Sequence, residues 1–241
     1  MREGSCFLRL DQTPADFTRN CYPADAPDSV PSVLLWGDSF AAHYAPALEK
    51  RQDIRFGQLT TGACPPLLVF SGQRHKECLA INRYVAAWVA THQPDVVVLA
   101  ARWNRYRDFA QVDSTVGLLL ARGVDKLVII GSSAQFDEEV PRLLARRVRN
   151  DRVPVRLPGD DMQRINQDDA VLRTIAARRG VKFVAPIGLQ CNSTGCLAAL
   201  DEHADRVTTW DDGHLTEAGA AWIVDALMAD LFVKRYALVR K

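Results

Sequence analysis

The chain has 241 residues, 48% of them hydrophobic, with 30 Lys and Arg against 29 Asp and Glu. That length and apolar content suit one α/β domain around a buried core. The even charge balance gives no support for nucleic-acid binding, which calls for a basic stripe. No apolar run approaches the roughly 18 residues that cross a bilayer.

Residues 1–30, with Pro14, Pro23 and Pro27 among scattered Asp, read as an irregular arm, and 31–241 as a single folded domain. Residues 33–36 are a strand and 41–51 carry helical spacing. Strand 54–59 runs into a loop over 60–77 that contains Gly62 and a Cys-Pro-Pro segment, and 79–91 returns to helix. The all-apolar run 96–100 is the pattern of a parallel strand covered on both faces, and 127–130 repeats it after a helix over 116–122 that stops at Gly123. A charged, Pro-punctuated stretch then extends to about Asp161, followed by a helix to Arg179, a strand over 182–185 and a closing helix over 216–232. Five strands separated by helices predict an α/β fold, a doubly wound five-stranded parallel sheet with ligands at the carboxyl ends of its strands.

Six cysteines fall in three local pairs, Cys6/Cys21, Cys64/Cys78 and Cys191/Cys196, each closing a loop rich in turn residues. Sequence alone does not choose among the possible connectivities; sequential pairing is the simplest, and clips the arm to the domain. An even count in loops points to an oxidising compartment, with six reduced thiols in a cytoplasmic enzyme as the alternative. No Cys-x-x-Cys spacing suggests zinc, so no metal is expected. Met1-Arg2-Glu3-Gly4 lacks the apolar core of a secretory signal, so the expectation is a piece of a longer membrane-anchored protein, or else a cytoplasmic one.

Two motifs carry chemistry. Gly37-Asp38-Ser39 follows the first predicted strand, and Asp211-Asp212-Gly213-His214 precedes the last helix. A serine on a strand-to-helix turn, a histidine to take its proton and a carboxylate three residues before that histidine are the parts of acyl transfer through a serine. Ser39 is the expected nucleophile, His214 the general base and later acid, and Asp211 the group that orients it. Asp212, nearer the helix start, is read as structural. An ordinary helix-capping serine is the competing reading of Ser39.

This pairing resembles the SGNH (GDSL-type) esterase and acyltransferase superfamily. The segments Thr61-Gly62-Ala63-Cys64-Pro65-Pro66-Leu67 and Val96-Val97-Val98-Leu99-Ala100-Ala101-Arg102-Trp103, with Cys191 and Cys196 before the histidine block, are similar to the periplasmic SGNH domain of bacterial acyltransferase-3 proteins. The likeness runs over roughly residues 6–232. It implies an SGNH-hydrolase-like, flavodoxin-like fold and no cofactor. It also implies a periplasmic location and a multi-pass membrane acyltransferase-3 domain in the same parent chain that delivers the acyl donor. The activity implied is O-acylation, chiefly O-acetylation, of a cell-surface polysaccharide such as lipopolysaccharide O-antigen, capsule, exopolysaccharide or peptidoglycan. A stand-alone carbohydrate esterase is the alternative, and a catalytically silent glycan-binding module a further one.

The resemblance also assigns the oxyanion hole to the Ser39 N–H and to Gly62, for which an ordinary turn glycine is the competing reading. The Gly-x-Asn-Asp block of the superfamily is replaced by Ala101-Arg102-Trp103-Asn104, where Trp103 takes the asparagine position and Asn104 is either the substitute donor or a solvated loop residue. Trp103, Tyr44 and Tyr106 are candidates for a saccharide platform, and core packing is an equal reading of each. His43, four residues after Ser39, is either a buried helix histidine or a wall of the substrate cleft. His75, His92 and His203 have no supporting constellation. Arg142, Arg146, Arg147, Arg149, Arg152 and Arg156 form the one marked basic cluster, read as a solvated face or a contact for anionic glycan, lipid or the membrane domain.

Overall fold

The computed structural model describes residues 2–23, 30–69 and 76–232; His75 lies outside them. In chain order the elements are β1 (Phe7–Leu8), β2 (Ser32–Gly37), α1 (Ser39–Ala42), α2 (Ala45–Glu49), β3 (Arg55–Thr61), α3 (Glu77–His92), β4 (Val96–Ala100), α4 (Trp103–Tyr106), α5 (Phe109–Ala121), β5 (Leu127–Ile130), α6 (Val140–Ala145), β6 (Arg156–Leu157), α7 (Met162–Arg179), β7 (Lys182–Val184), α8 (Pro186–Gln190), β8 (Cys191–Asn192), β9 (Gly195–Leu197) and α9 (Glu217–Phe232).

The main sheet is parallel throughout, in the order β1-β3-β2-β4-β5-β7. Alternation along its strands creates two cores. Leu34, Trp36, Val97, Leu99, Leu127 and Ile129 pack with α3, α5 and α7 on one face. Val33, Leu35, Val96, Val98, Val128 and Ile130 pack with α1, α2 and α9 on the other. Burial on both faces is why these strands read as unbroken apolar runs. The starts of β2 and β4 are tied together by Asp95 Oδ2, which accepts the Ser32 N–H and hydroxyl at 2.7 and 2.8 Å. The chain leaves β2 toward β3 on one side and comes back for β4 on the other. That reversal opens a crevice at the carboxyl ends of β2 and β4, where Ser39 begins α1.

The five expected strands are all present, and the arm adds a sixth. Phe7–Leu8 pairs in parallel with Thr60 and Thr61, a two-residue element too short to show any periodicity. Cys6–Cys21 pins this segment, Cys64–Cys78 joins the loop after β3 to α3, and Cys191–Cys196 closes the β8–β9 hairpin.

Three segments differ from expectation. The helix over 41–51 is split into α1 and α2 because Pro46 has no N–H to donate and its ring opposes the carbonyl one turn back. The helix expected from 116 starts at Phe109. Part of the charged stretch folds: α6 and the antiparallel sheet β6-β9-β8 enclose a third cluster that includes Phe136, Val140, Leu143, Leu157 and Ile187. The basic cluster is largely satisfied on site, with Arg142, Arg146 and Arg152 paired to Glu139, Glu138 and Glu202 and Arg156 donating to the carbonyls of Gln190 and Gly195. Among the described residues no helix is long and apolar enough to cross a membrane.

Candidate active site

Gly37 ends β2 hard against β4. A Cβ there would sit 1.8 Å from the Ala100 carbonyl oxygen and 2.8 Å from Ala41 Cβ, so only glycine lets the two strand ends and α1 meet. Asp38 then caps α1: Oδ1 accepts the Phe40 N–H at 2.7 Å, while Oδ2 accepts the Tyr106 hydroxyl at 2.7 Å and the Arg102 N–H at 3.1 Å. Burial pushes this carboxyl above its ordinary range, and the Tyr106, Arg102 and Phe40 donors pull part of the way back. Ser39 follows as the first helical residue, a position whose N–H has no intrahelical acceptor.

The second motif forms a tight loop. Thr209 and Leu215 bridge in antiparallel fashion, and the Trp210 N–H donates to the His214 carbonyl at 3.0 Å. Inside the turn Asp211 Oδ1 accepts the N–H groups of Gly213 and His214 at 2.9 and 2.6 Å. Its other oxygen lies 2.6 Å from His214 Nδ1, and His214 Nε2 lies 2.8 Å from Ser39 Oγ. An ionised carboxylate only accepts, so the Nδ1 position carries the proton and Nε2 is left to accept from the serine. Burial alone would raise the Asp211 carboxyl, but the hydrogen bonds from the His214 ring and from the Gly213 and His214 backbone outweigh it and hold it below the usual range. The N–H groups of Phe136 and Val140 donate to the carbonyls of Asp212 and Asp211 and anchor the loop beside α6.

These two motifs, 175 residues apart, thus meet as a continuous Ser39–His214–Asp211 hydrogen-bonded chain. Residues 5–229 match the family described as the SGNH domain fused to AT3 domains. The chain belongs to that family. Its fold is shared by the periplasmic domain of a Salmonella ser. Paratyphi A lipopolysaccharide acetyltransferase, with a TM-score of 0.75 at 18% identity over 88% of this chain and 91% of that one. A putative acylhydrolase from Bacteroides fragilis aligns with a TM-score of 0.58 at 15% identity over 90% and 93% of the two chains. A carbohydrate acetylesterase from Sinorhizobium meliloti gives 0.53 at 14% identity over 85% and 99%. No curated protein matches the sequence.

Several of the expected site residues of this SGNH domain lie elsewhere. The Gly62 N–H donates to the Leu8 carbonyl at 2.9 Å and is therefore spent on β1 rather than offered to an oxyanion. A Cβ at Gly62 would meet nothing nearer than 3.7 Å, so glycine is not sterically required there. Asn104 turns toward Gln135 in a reciprocal amide pair, Nδ2 to Oε1 at 3.0 Å and the return bond at 3.2 Å, which removes it from the expected donor role. Trp103 is a core residue, 1% exposed, whose indole N–H donates to the Ile130 carbonyl at 2.7 Å. Tyr44 is equally buried, and burial raises its phenol. Tyr106 keeps its hydroxyl on Asp38. Trp103 and Tyr44 are therefore not part of a saccharide platform, while the ring of Tyr106 is half-buried. Tight packing of the loops after β2 and β4 takes Trp103 and Tyr44 inward.

His43 is buried beneath the imidazole of His214, ring centroids 6.3 Å apart, with Nδ1 accepting the Leu215 N–H at 3.3 Å. Burial first, then the nearby His214, drives its pKa well below the ordinary histidine value. It stays neutral and forms no cleft wall. His92 stacks on Trp88 along α3, away from the serine, and His203 lies exposed in a surface turn.

The sequence reading missed a polar network and an aromatic one. Arg102 Nη2 donates to Asp212 Oδ2 at 2.7 Å and Nε to Gln135 Oε1 at 3.0 Å, with the guanidinium 5.1 Å over Phe40. Asp212 is thus the anchor of the His214 loop to the end of β4. The imidazole of His214 packs against Phe40, at 4.6 Å and tilted, and against Trp210, at 5.3 Å and nearly parallel. Asp211, Asp212 and His214 also bring one ligand atom each within 4.8 Å of one another. Asp211 pairs with the imidazole and Asp212 with Arg102.

Proposed function

We propose that this SGNH domain is the periplasmic part of an O-acyltransferase. Ser39 takes an acyl group, chiefly acetyl, delivered by a membrane acyltransferase-3 domain of the same parent chain, and passes it to a hydroxyl of a bacterial cell-surface polysaccharide. The observation that carries the reading is the Ser39–His214–Asp211 chain, at 2.8 and 2.6 Å, within a family fused to AT3 domains. Ser39 Oγ attacks the acyl carbonyl while its proton passes to His214 Nε2, and the imidazolium then protonates the leaving group. In the second half His214 removes the proton of the acceptor hydroxyl, which attacks the acyl-enzyme and releases Ser39. The Ser39 N–H, free of the helix ladder, supports the tetrahedral oxyanion.

The same parts hydrolyse esters when water takes the acceptor's place. Likeness to an acylhydrolase and a carbohydrate acetylesterase favours that second reading. Labelling by a fluorophosphonate probe, with peptide mapping, tests the shared first half: modification at Ser39 is expected, and none in Ser39→Ala. Labelling elsewhere, or none, removes the enzyme reading and revives that of a glycan-binding module.

A further inference from the structure

The geometry points to Trp210 as the acceptor-side platform, an aromatic face that holds a pyranose ring of the accepting polysaccharide next to His214 and so sets the balance between acyl transfer and hydrolysis. This rests on the acyl-transfer reading above.

Trp210 is 52% exposed, the most exposed of the chain's 5 tryptophans, whereas Trp36 and Trp103 are at 1%. Its place is built rather than incidental. The Thr209–Leu215 bridge and the Trp210 N–H bond to the His214 carbonyl make residues 210 and 214 cross-strand neighbours, and their rings stack at 5.3 Å with planes 19° apart. With planes at ordinary contact, about 3.5–4 Å, that centroid distance requires a lateral offset of roughly 3.5–4 Å. The indole therefore overhangs the imidazole and leaves apolar surface open beside it. Phe40, which also packs on the imidazole, is 4% exposed and lies under Arg102, so Trp210 is the exposed aromatic wall of the pair.

An exposed indole stacked on its neighbour suits the C–H face of a sugar, whose hydroxyls remain free at the ring's edge. A pyranose resting there lies within a ring's width of the imidazole. One of its hydroxyls can give its proton to His214 Nε2 as its oxygen bonds the acyl carbon. The acyl–Oγ bond of Ser39 then breaks and the proton returns to Ser39 Oγ. Water gains nothing from the platform. Hydrolysis and transfer both form the same imidazolium, so any effect of Trp210 on that ion cancels in the ratio of the two rates.

The test measures that ratio and binding separately. The isolated protein is given p-nitrophenyl acetate with methyl glycosides and trisaccharides of glucose, galactose, mannose, rhamnose and N-acetylglucosamine, and O-acetylated sugar is set against free acetate by mass spectrometry. Binding of the same saccharides is followed by calorimetry in Ser39→Ala, where no chemistry intervenes. Trp210→Ala is expected to lower the transfer-to-hydrolysis ratio and the affinity about tenfold, with Trp210→Tyr within roughly threefold of the parent; far-ultraviolet circular dichroism checks each fold. If Trp210→Ala leaves both ratio and affinity unchanged while transfer proceeds, the platform is refuted and the transferase stands. If no sugar is acylated yet Ser39→Ala still binds saccharide in a Trp210-dependent way, the platform stands and the transferase reading fails. No binding of any of these saccharides at tens of millimolar overturns the platform.

Discussion

Replacing Tyr106 with Phe keeps the ring and removes only the hydroxyl that donates to Asp38 at 2.7 Å. Asp38 is 1% exposed, and its three donors, two of them backbone N–H groups that cannot accept in return, favour the ionised carboxyl against the larger effect of burial. A hydrogen bond to a charged buried acceptor is worth about 1.5–3 kcal/mol, or roughly 3–12 °C in Tm for a chain of this size. The sign of the pH dependence follows from the direction of the shift. Burial already raises the folded-state pKa of Asp38, so its protonated form favours folding and that contribution is lost as pH rises through the folded value. Deleting the Tyr106 donor raises the folded pKa further. The loss in Tyr106→Phe is therefore larger on the alkaline side of the folded Asp38 value than on its acid side, as read by urea titration across the pH range. Equal losses on both sides, or no loss, would refute the claim that Tyr106 serves Asp38 and reopen a role at the surface.

Gly37→Ala should lower both stability, by more than about 1–3 kcal/mol because the clash is with backbone, and ester turnover, whereas Gly62→Ala should stay within about 0.5 kcal/mol; thermal melts and p-nitrophenyl acetate assays separate them. Loss of Cys6–Cys21 or Cys64–Cys78, which close loops of 15 and 14 residues, should cost about 3 kcal/mol each in the chain-entropy model, and loss of Cys191–Cys196, with a separation of 5, about 2, as read by denaturation of the paired alanine variants. Trp103→Phe should destabilise by about 1–3 kcal/mol through the orphaned Ile130 carbonyl, while leaving the sugar preference of the enzyme unchanged. Hydrogen bonds from Arg179, reinforced by Arg178, hold Asp113 at about 2, so its stabilisation of the α5–α7 contact is present above the unfolded carboxyl value and lost as pH falls toward 2; Asp113→Asn should weaken the fold at neutral pH and cease to matter in strong acid.

The residues that were readable from sequence are those whose surroundings are local or periodic. The runs 33–36, 96–100 and 127–130 must be buried on both faces, and parallel strands between helices are the arrangement that achieves it. Ser39 and the Asp-x-x-His spacing were legible because one turn of chain brings Asp211 to Nδ1. The losses occurred where tertiary contacts decide the outcome. Whether the Gly62 N–H is free depends on Leu8, and β1 is only two residues long. Trp103 and Trp210 are the same residue type near the same serine, yet one lies under the sheet end with its N–H on Ile130 and the other is held outward by a bridge at Thr209. Arg102 meets Asp212 across 110 residues, a pairing no local pattern announces. Pro46, by contrast, was a visible break that helical spacing alone passed over.

The central claim is a covalent acyl group on Ser39 that leaves to a sugar. Rapid acid quenching after mixing with isotopically labelled p-nitrophenyl acetate, followed by peptide mass spectrometry, measures it directly. The account predicts one labelled acetyl group on the peptide bearing Ser39, its disappearance when a competent saccharide is added, and the label recovered as an ester on that saccharide. Turnover that continues with no label at Ser39, or in Ser39→Ala at the rate of the parent, would contradict it.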